Sequence, residues 1–231
     1  MLAGVNAQNF DAEESGNALT TADSQGLVFD GVQNDFITPN GNGPRDEFKT
    51  PEEVRVDTDS TNETFSSRVS SDISDGGRTI IAQYHDEASG LPFALYLSDG
   101  QSRANGIAND EPDDGVFDLY SVHRGEDGEN NYNVYGTVEA GEAFDVQLNK
   151  QGTDLQVEVN NVQRSLDLRD GEGLFFKFGS YTQAEDPNAT SDEAGQLTES
   201  GSEESADALR EIGITSSRVT FDDLEYSRST I

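Results

Sequence analysis

The chain has 231 residues, no cysteine, and 46 acidic against 14 basic residues, a formal net charge of -32. That length suits one β-rich domain, and that charge excludes a duplex-binding protein, which needs a cationic face. Disulfides and thiolate chemistry are excluded with the cysteines, and no apolar run is long enough to span a bilayer. Neither nucleic acid nor membrane is therefore an expected partner. No secretory apolar segment follows Met1, so an export signal is not part of this chain. Lysine is confined to Lys49, Lys150 and Lys177. A carboxylate-covered, lysine-poor surface over an ordered core points to a halophile, because such a surface resists aggregation but repels itself in dilute salt.

In chain order, residues 1–25 are polar and small, and read as a loosely ordered segment before a single domain over 26–231. Short strand patterns with turn signals follow. They are "GLVFDGV", "RDEFKT", "EVRVDT", "ETFSSRVSS", "RTIIAQYH", "PFALYLSDG", "GVFDLYSVHR", "NYNVYGTVE", "AFDVQLNKQ", "DLQVEVNN", "QRSLDLR", "LFFKFGSYTQ" and "SRVTFDDLEYS". Gly152 marks a hairpin turn between "FDVQLNK" and "DLQVEVN". Residues 184–211 read as an acidic surface loop, and "EESADALREIG" (203–213) is the one helical candidate. Many short strands without long helices predict an all-β fold, a jelly roll or sandwich of two antiparallel sheets, with one sheet open to a ligand.

Polar residues intrude on three strands. In "RDEFK", Arg45, Glu47 and Lys49 alternate and share one face. That row is either a self-satisfying charge ladder or the floor of an anion site. In "QYH", Gln83 and His85 stand side by side at the end of an apolar run. In "FFKFGSYTQ", Phe175, Lys177, Gly179 and Tyr181 share a face if the strand is regular. Gly179 there suggests room for a ligand or close backbone approach. His123 takes no role in this reading. The acidic runs "NDEPDDG" and "RGEDGENN" lack the spacing of a calcium loop and read as solvated turns.

The three motifs, in this order, resemble the alginate lyases of polysaccharide lyase family 7. That family carries R-S/T-E-L-R, Q-I/V-H and Y-F-K-A-G-x-Y-x-Q strands. The resemblance implies a β-jelly roll with a groove across its concave sheet, and β-elimination on alginate or a related polyuronate. A glucuronan lyase of the same architecture and a non-catalytic carbohydrate-binding jelly roll are the alternatives. Carried over by motif, Arg45, Gln83, His85 and Tyr181 are the catalytic candidates. Glu47, Lys49, Lys177 and Gln183 are the substrate-binding candidates. Lys49 stands for the second arginine and loses its fork. Tyr84 stands at the isoleucine or valine position associated with block preference, so that preference does not carry over. The implied enzyme needs no metal and no cofactor, takes an anionic polysaccharide as its partner, and is expected as a secreted monomer.

Overall fold

The computed structural model describes residues 11–12, 21–23, 26–38, 43–87, 90–99, 115–183 and 206–231. The strands are β1 (Asp11–Ala12), β2 (Thr21–Asp23), β3 (Gly26–Asp30), β4 (Arg45–Lys49), β5 (Thr61–Ile73), β6 (Arg78–Asp86) and β7 (Gly90–Asp99). They continue as β8 (Val116–Arg124), β9 (Asn130–Glu139), β10 (Ala143–Gln151), β11 (Asp154–Val159), β12 (Val162–Asp167), β13 (Phe175–Thr182) and β14 (Ser217–Thr230). Two short helices are described, α1 (Gly31–Asn34) and α2 (Ala206–Glu211). One seven-stranded sheet runs β1-β4-β13-β6-β7-β8-β9, and the other runs β12-β11-β10-β5-β14-β3-β2. Every pairing is antiparallel. The architecture is the predicted two-sheet jelly roll.

Period-2 patterning explains the layering. β5 alternates buried and less buried residues along its whole length. Its inward face carries Phe65 and Val69 into a core with Phe29, Phe176, Phe178 and Phe221. These rings meet mostly edge to face or tilted, at centroid distances of 5.1–6.3 Å. Each buried phenylalanine contributes on the order of 1.5–3 kcal/mol through removal from water. β6 is buried on both faces, as its continuous apolar run predicts. A second apolar cluster lies on the outer face of the first sheet: Ile80, Ala94, Tyr96, Tyr120 and Tyr181.

Three expectations are refined. "EVRVDT" does not form a strand. After Pro51 the chain makes two 3₁₀ turns, Glu52–Val54 and Thr58–Ser60, and only Val56 bridges, to Leu174. Within the segment read as loosely ordered, Asp11–Ala12 pairs with β4 and Thr21–Asp23 with β3. Of the acidic stretch, 184–205 lies outside the described residues, as does most of "NDEPDDG". The rest, Ala206–Glu211, is the helix that the 203–213 pattern indicated; it buries Ala206 and Leu209 against Val32. The hairpin at Gly152 is present, with Gln151 paired to Asp154 and Gly152 at φ +59°.

Candidate active site

β4, β13 and β6 lie side by side and carry all three motifs. Their registers build rows across the sheet. Tyr181 pairs with Arg45 and with Ile80. Gly179 pairs with Glu47. Lys177 pairs with Lys49 on one side and Gln83 on the other, and Phe175 pairs with His85. Between Phe178 and Tyr181 the ladder to β6 slips: Gly179 and Ser180 oppose the single residue Ile81. This is a β-bulge. Gly179 serves that bulge rather than a ligand. Its φ is +145°, and a Cβ would fall 2.3 Å from the Asp46 carbonyl oxygen and 3.1 Å from the Phe29 ring. Of the two readings offered for Gly179, close backbone approach is the one realised, and no room for a ligand is left there.

Glu47 is the centre of the site. It is 1% exposed. Its Oε1 accepts a hydrogen bond from Gln83 Nε2. Its Oε2 lies 3.6 Å from Arg45 Nη1 and 3.8 Å from Lys177 Nζ. His85 Nε2 bonds Gln83 Oε1 at 3.0 Å. The Arg45 guanidinium lies over the Tyr181 ring, 3.8 Å from its centroid. Arg45, Gln83, Lys177 and Tyr181 are all buried, while Lys49 and His85 are half-buried. Among the described residues, two cations, Arg45 and Lys177, share the one Glu47 carboxylate, with Lys49 next to Lys177 in the sheet register.

The structure thus joins Arg45, Glu47, Gln83, His85 and Lys177 in one contiguous network, with Tyr181 under Arg45 and Lys49 beside Lys177. Gln183 stands apart. It follows β13 at the far end, where its backbone N–H donates to the Arg78 carbonyl and its Oε1 accepts from Arg78 Nη2 at 3.4 Å. Tyr84 points away from the site. It is 0% exposed, packs on Phe176 and Phe93 at 5.0 and 6.2 Å, and lies in the core between the sheets. His123 is half-buried on β8, pairs opposite Phe93, and its Nδ1 lies 3.1 Å from Asn133 Nδ2. Burial lowers its pKa below the ordinary 6.5 against the pull of Asp127 and Asp167.

Sequence reasoning missed Arg55. Its guanidinium lies 4.0 Å from the Phe175 centroid, and the His85 ring stacks on Phe175 at 5.5 Å. Nothing in the isolated stretch "EVRVDT" signals that contact, because it closes over 120 residues of chain.

A two-sheet jelly roll carrying a cationic cluster and a Gln–His pair on one outer sheet face agrees with the class its motifs resemble, a polysaccharide lyase. A family profile described as Alginate lyase matches residues 4–228, so the chain belongs to the alginate lyase family. Two solved structures share 31% identity with it. One is the alginate lyase from Alteromonas sp. 272, with a TM-score of 0.82 over 96% of this chain and 95% of that one. The other is aly-SJ02 r-CATD of polysaccharide lyase family 18, with a TM-score of 0.81 over 96% of both chains. The family 7 alginate lyase A1-II′ in complex with its substrate GGMG is 15% identical, with a TM-score of 0.59 over 99% of this chain and 84% of that one; it shares the fold. A search of curated proteins found no match.

Proposed function

We propose that the chain cleaves alginate, or a closely related polyuronate, by β-elimination, and that Arg45, Gln83, His85 and Tyr181 carry the reaction. The observation that carries this reading is the Glu47-centred network, which gathers the three family motifs on one sheet face. A uronate has an acidic C5 proton beside its C6 carboxylate. Removing that proton builds charge onto the carboxylate. Arg45 and the second N–H of the Gln83 amide are suited to stabilise this charge. Glu47, buried beneath them, orients Arg45, Lys177 and Gln83; a carboxylate facing a polyanion would repel it. The C5–H electron pair becomes the C4=C5 double bond. The C4–O4 bond breaks, its pair leaves with O4, and O4 takes a proton. Tyr181 is the acid for O4. Where the C5 proton and O4 lie on the same side of the ring, Tyr181 also serves as base; where they lie on opposite sides, His85 is the base. Lys49 and Lys177 hold neighbouring carboxylates.

The same reading places the enzyme outside cells and in concentrated salt. Its substrate is a polymer, and at molar salt the Debye length is about 3 Å, so the distant surface carboxylates do not oppose a polyanion in the groove. None of the three lysines lies on the exposed surface: Lys150 is 0% exposed, Lys177 4%, and Lys49 half-buried. The deciding experiment offers polyuronates to the protein in high salt and follows the ultraviolet absorbance of the conjugated product. Rising absorbance with alginate is expected. Depolymerisation without it would indicate hydrolysis, and binding without turnover would indicate a carbohydrate-binding module.

A further inference from the structure

Beyond the motif residues, one cation reaches the site from a different part of the chain. Arg55 leaves the 3₁₀ turn Glu52–Val54, and its N–H donates to the Glu52 carbonyl at 3.2 Å. The next residue, Val56, bridges to Leu174, with the Leu174 N–H donating to the Val56 carbonyl at 2.7 Å. That bridge places Arg55 beside Phe175. β4 has ended at Lys49, so Arg55 takes the row position that β4 would have supplied, and completes the row Arg55–Phe175–His85. Phe175 serves both partners: the Arg55 guanidinium lies over its ring at 4.0 Å, and the His85 ring stacks against it at 5.5 Å. The Arg55 side chain is 14% exposed, and among the described residues its buried Nε has no hydrogen-bond partner. Its counter-ion is Glu87, 3.5 Å away, with a side chain 57% exposed. An ion pair that open to water is weak and easily exchanged.

We propose that Arg55, seated on Phe175, is a binding site for the carboxylate of a uronate neighbouring the one that is cleaved. Seating on an aromatic ring pre-sets the planar fork, which suits a carboxylate taken by its terminal N–H groups. The arriving carboxylate would take the place of Glu87 at the terminal guanidinium nitrogens. Two backbone anchors flank Arg55, so little ordering remains to be done on binding. The site rests on the lyase reading and extends it, since it lies on the His85 side of the network and so favours substrates long enough to reach it.

The test compares Arg55→Met, Arg55→Lys and Glu87→Gln with the wild type on alginate polymer and on a size series of alginate oligosaccharides. Arg55→Met should raise KM on the polymer about tenfold, the loss of one charge-assisted contact, with kcat within about twofold. Arg55→Lys should fall between. Glu87→Gln, which removes the competing carboxylate at an exposed position, should lower KM. On the shortest cleavable oligosaccharides the variants and wild type should converge. An unchanged KM at every length for Arg55→Met, or for Glu87→Gln if Arg55→Met does not fold, would overturn the proposal. So would a fall in kcat alone, which would make Arg55 a prop for His85 through Phe175. A wild-type protein that makes no unsaturated product from any polyuronate would overturn the lyase reading itself, whereas turnover with KM unmoved would remove only this binding site.

Discussion

Glu47 sets the orientation of Gln83. A carboxylate only accepts hydrogen bonds, so the Gln83 amide nitrogen must face Glu47 and its oxygen must face His85. An amide oxygen also only accepts. His85 Nε2 therefore carries the proton, and the imidazole lone pair lies on Nδ1. A buried acid two strands away in the sheet thus chooses the tautomer of the candidate base through one glutamine.

That relay predicts the behaviour of Glu47→Gln. The variant keeps the shape of the side chain but lets the Gln83 amide turn over, and leaves Arg45 and Lys177 without their shared counter-charge. Activity on substrate blocks that use His85 should drop on the order of 10²-fold, within the range of general acid–base catalysis. The pH–rate profile should shift as well. If the rate falls while the profile stays where it was, Glu47 supports the fold rather than the tautomer.

Tyr181 and His85 separate the two stereochemical routes. O4 must be protonated in both, so Tyr181→Phe should cost at least about 10²-fold on every substrate block. His85→Asn should hurt guluronate-type blocks, where proton and O4 lie on opposite sides, more than mannuronate-type blocks. Initial rates on separated blocks decide this, with circular dichroism as the folding control. A folded Tyr181→Phe that retains substantial activity would move the acid role to another residue.

The strands were legible because their apolar residues keep a period of two, and the motif faces because Arg45, Glu47 and Lys49 share that period. The burial of Lys150 was not drawn from the sequence, although it falls in phase with Phe144, Val146 and Leu148 and all four are buried. What escaped was long-range or conformational. Arg55 meets Phe175 only through a bridge across 118 positions, Val56 to Leu174. Gly179 marks a bulge whose positive φ has no signature beyond the glycine itself. Gln183 shares a motif with Tyr181, yet the end of β13 delivers it to Arg78 instead of the network.

Tyr84 carries a prediction about the core. Its hydroxyl is buried with no hydrogen-bond partner among the described residues, and desolvation raises its pKa well above the ordinary 10.0. An unsatisfied buried hydroxyl costs about 1–3 kcal/mol. Tyr84→Phe should therefore leave the ring packing against Phe93 and Phe176 intact and stabilise the fold by roughly 1 kcal/mol. Tyr84→Ile restores the family residue but leaves a cavity, and should destabilise by a few kcal/mol. Denaturant midpoints measure both. A destabilised Tyr84→Phe would show that the hydroxyl is satisfied in solution.

Lys150 gives the last prediction, in the pH dependence of stability. It lies at one end of the core, where its ammonium donates to the Thr58 carbonyl at 2.6 Å, the Thr61 carbonyl at 3.1 Å and the Thr61 hydroxyl at 2.7 Å. Burial lowers its pKa from the ordinary 10.5 to about 8, although Glu63 pulls it upward. Below pH 8 the lysine is charged in both folded and unfolded chains. Between about 8 and 10.5 the unfolded chain binds a proton that the folded chain has lost, so stability rises with pH there. At 1.36 kcal/mol per pH unit the full rise is about 3 kcal/mol. Buried tyrosines act with the opposite sign. Tyr84, Tyr135 and Tyr226 all have pKa values pushed up by burial, Tyr135 to about 12. Above the ordinary value of 10.0 the unfolded chain loses protons that the folded chain keeps, and stability falls. Urea midpoints should therefore rise from pH 8 to a maximum near pH 10 and then decline. Lys150→Met should flatten the rise and leave the decline. If Lys150→Met shows the same rise as the wild type, the titrating group lies elsewhere and the three oxygen acceptors hold Lys150 charged throughout.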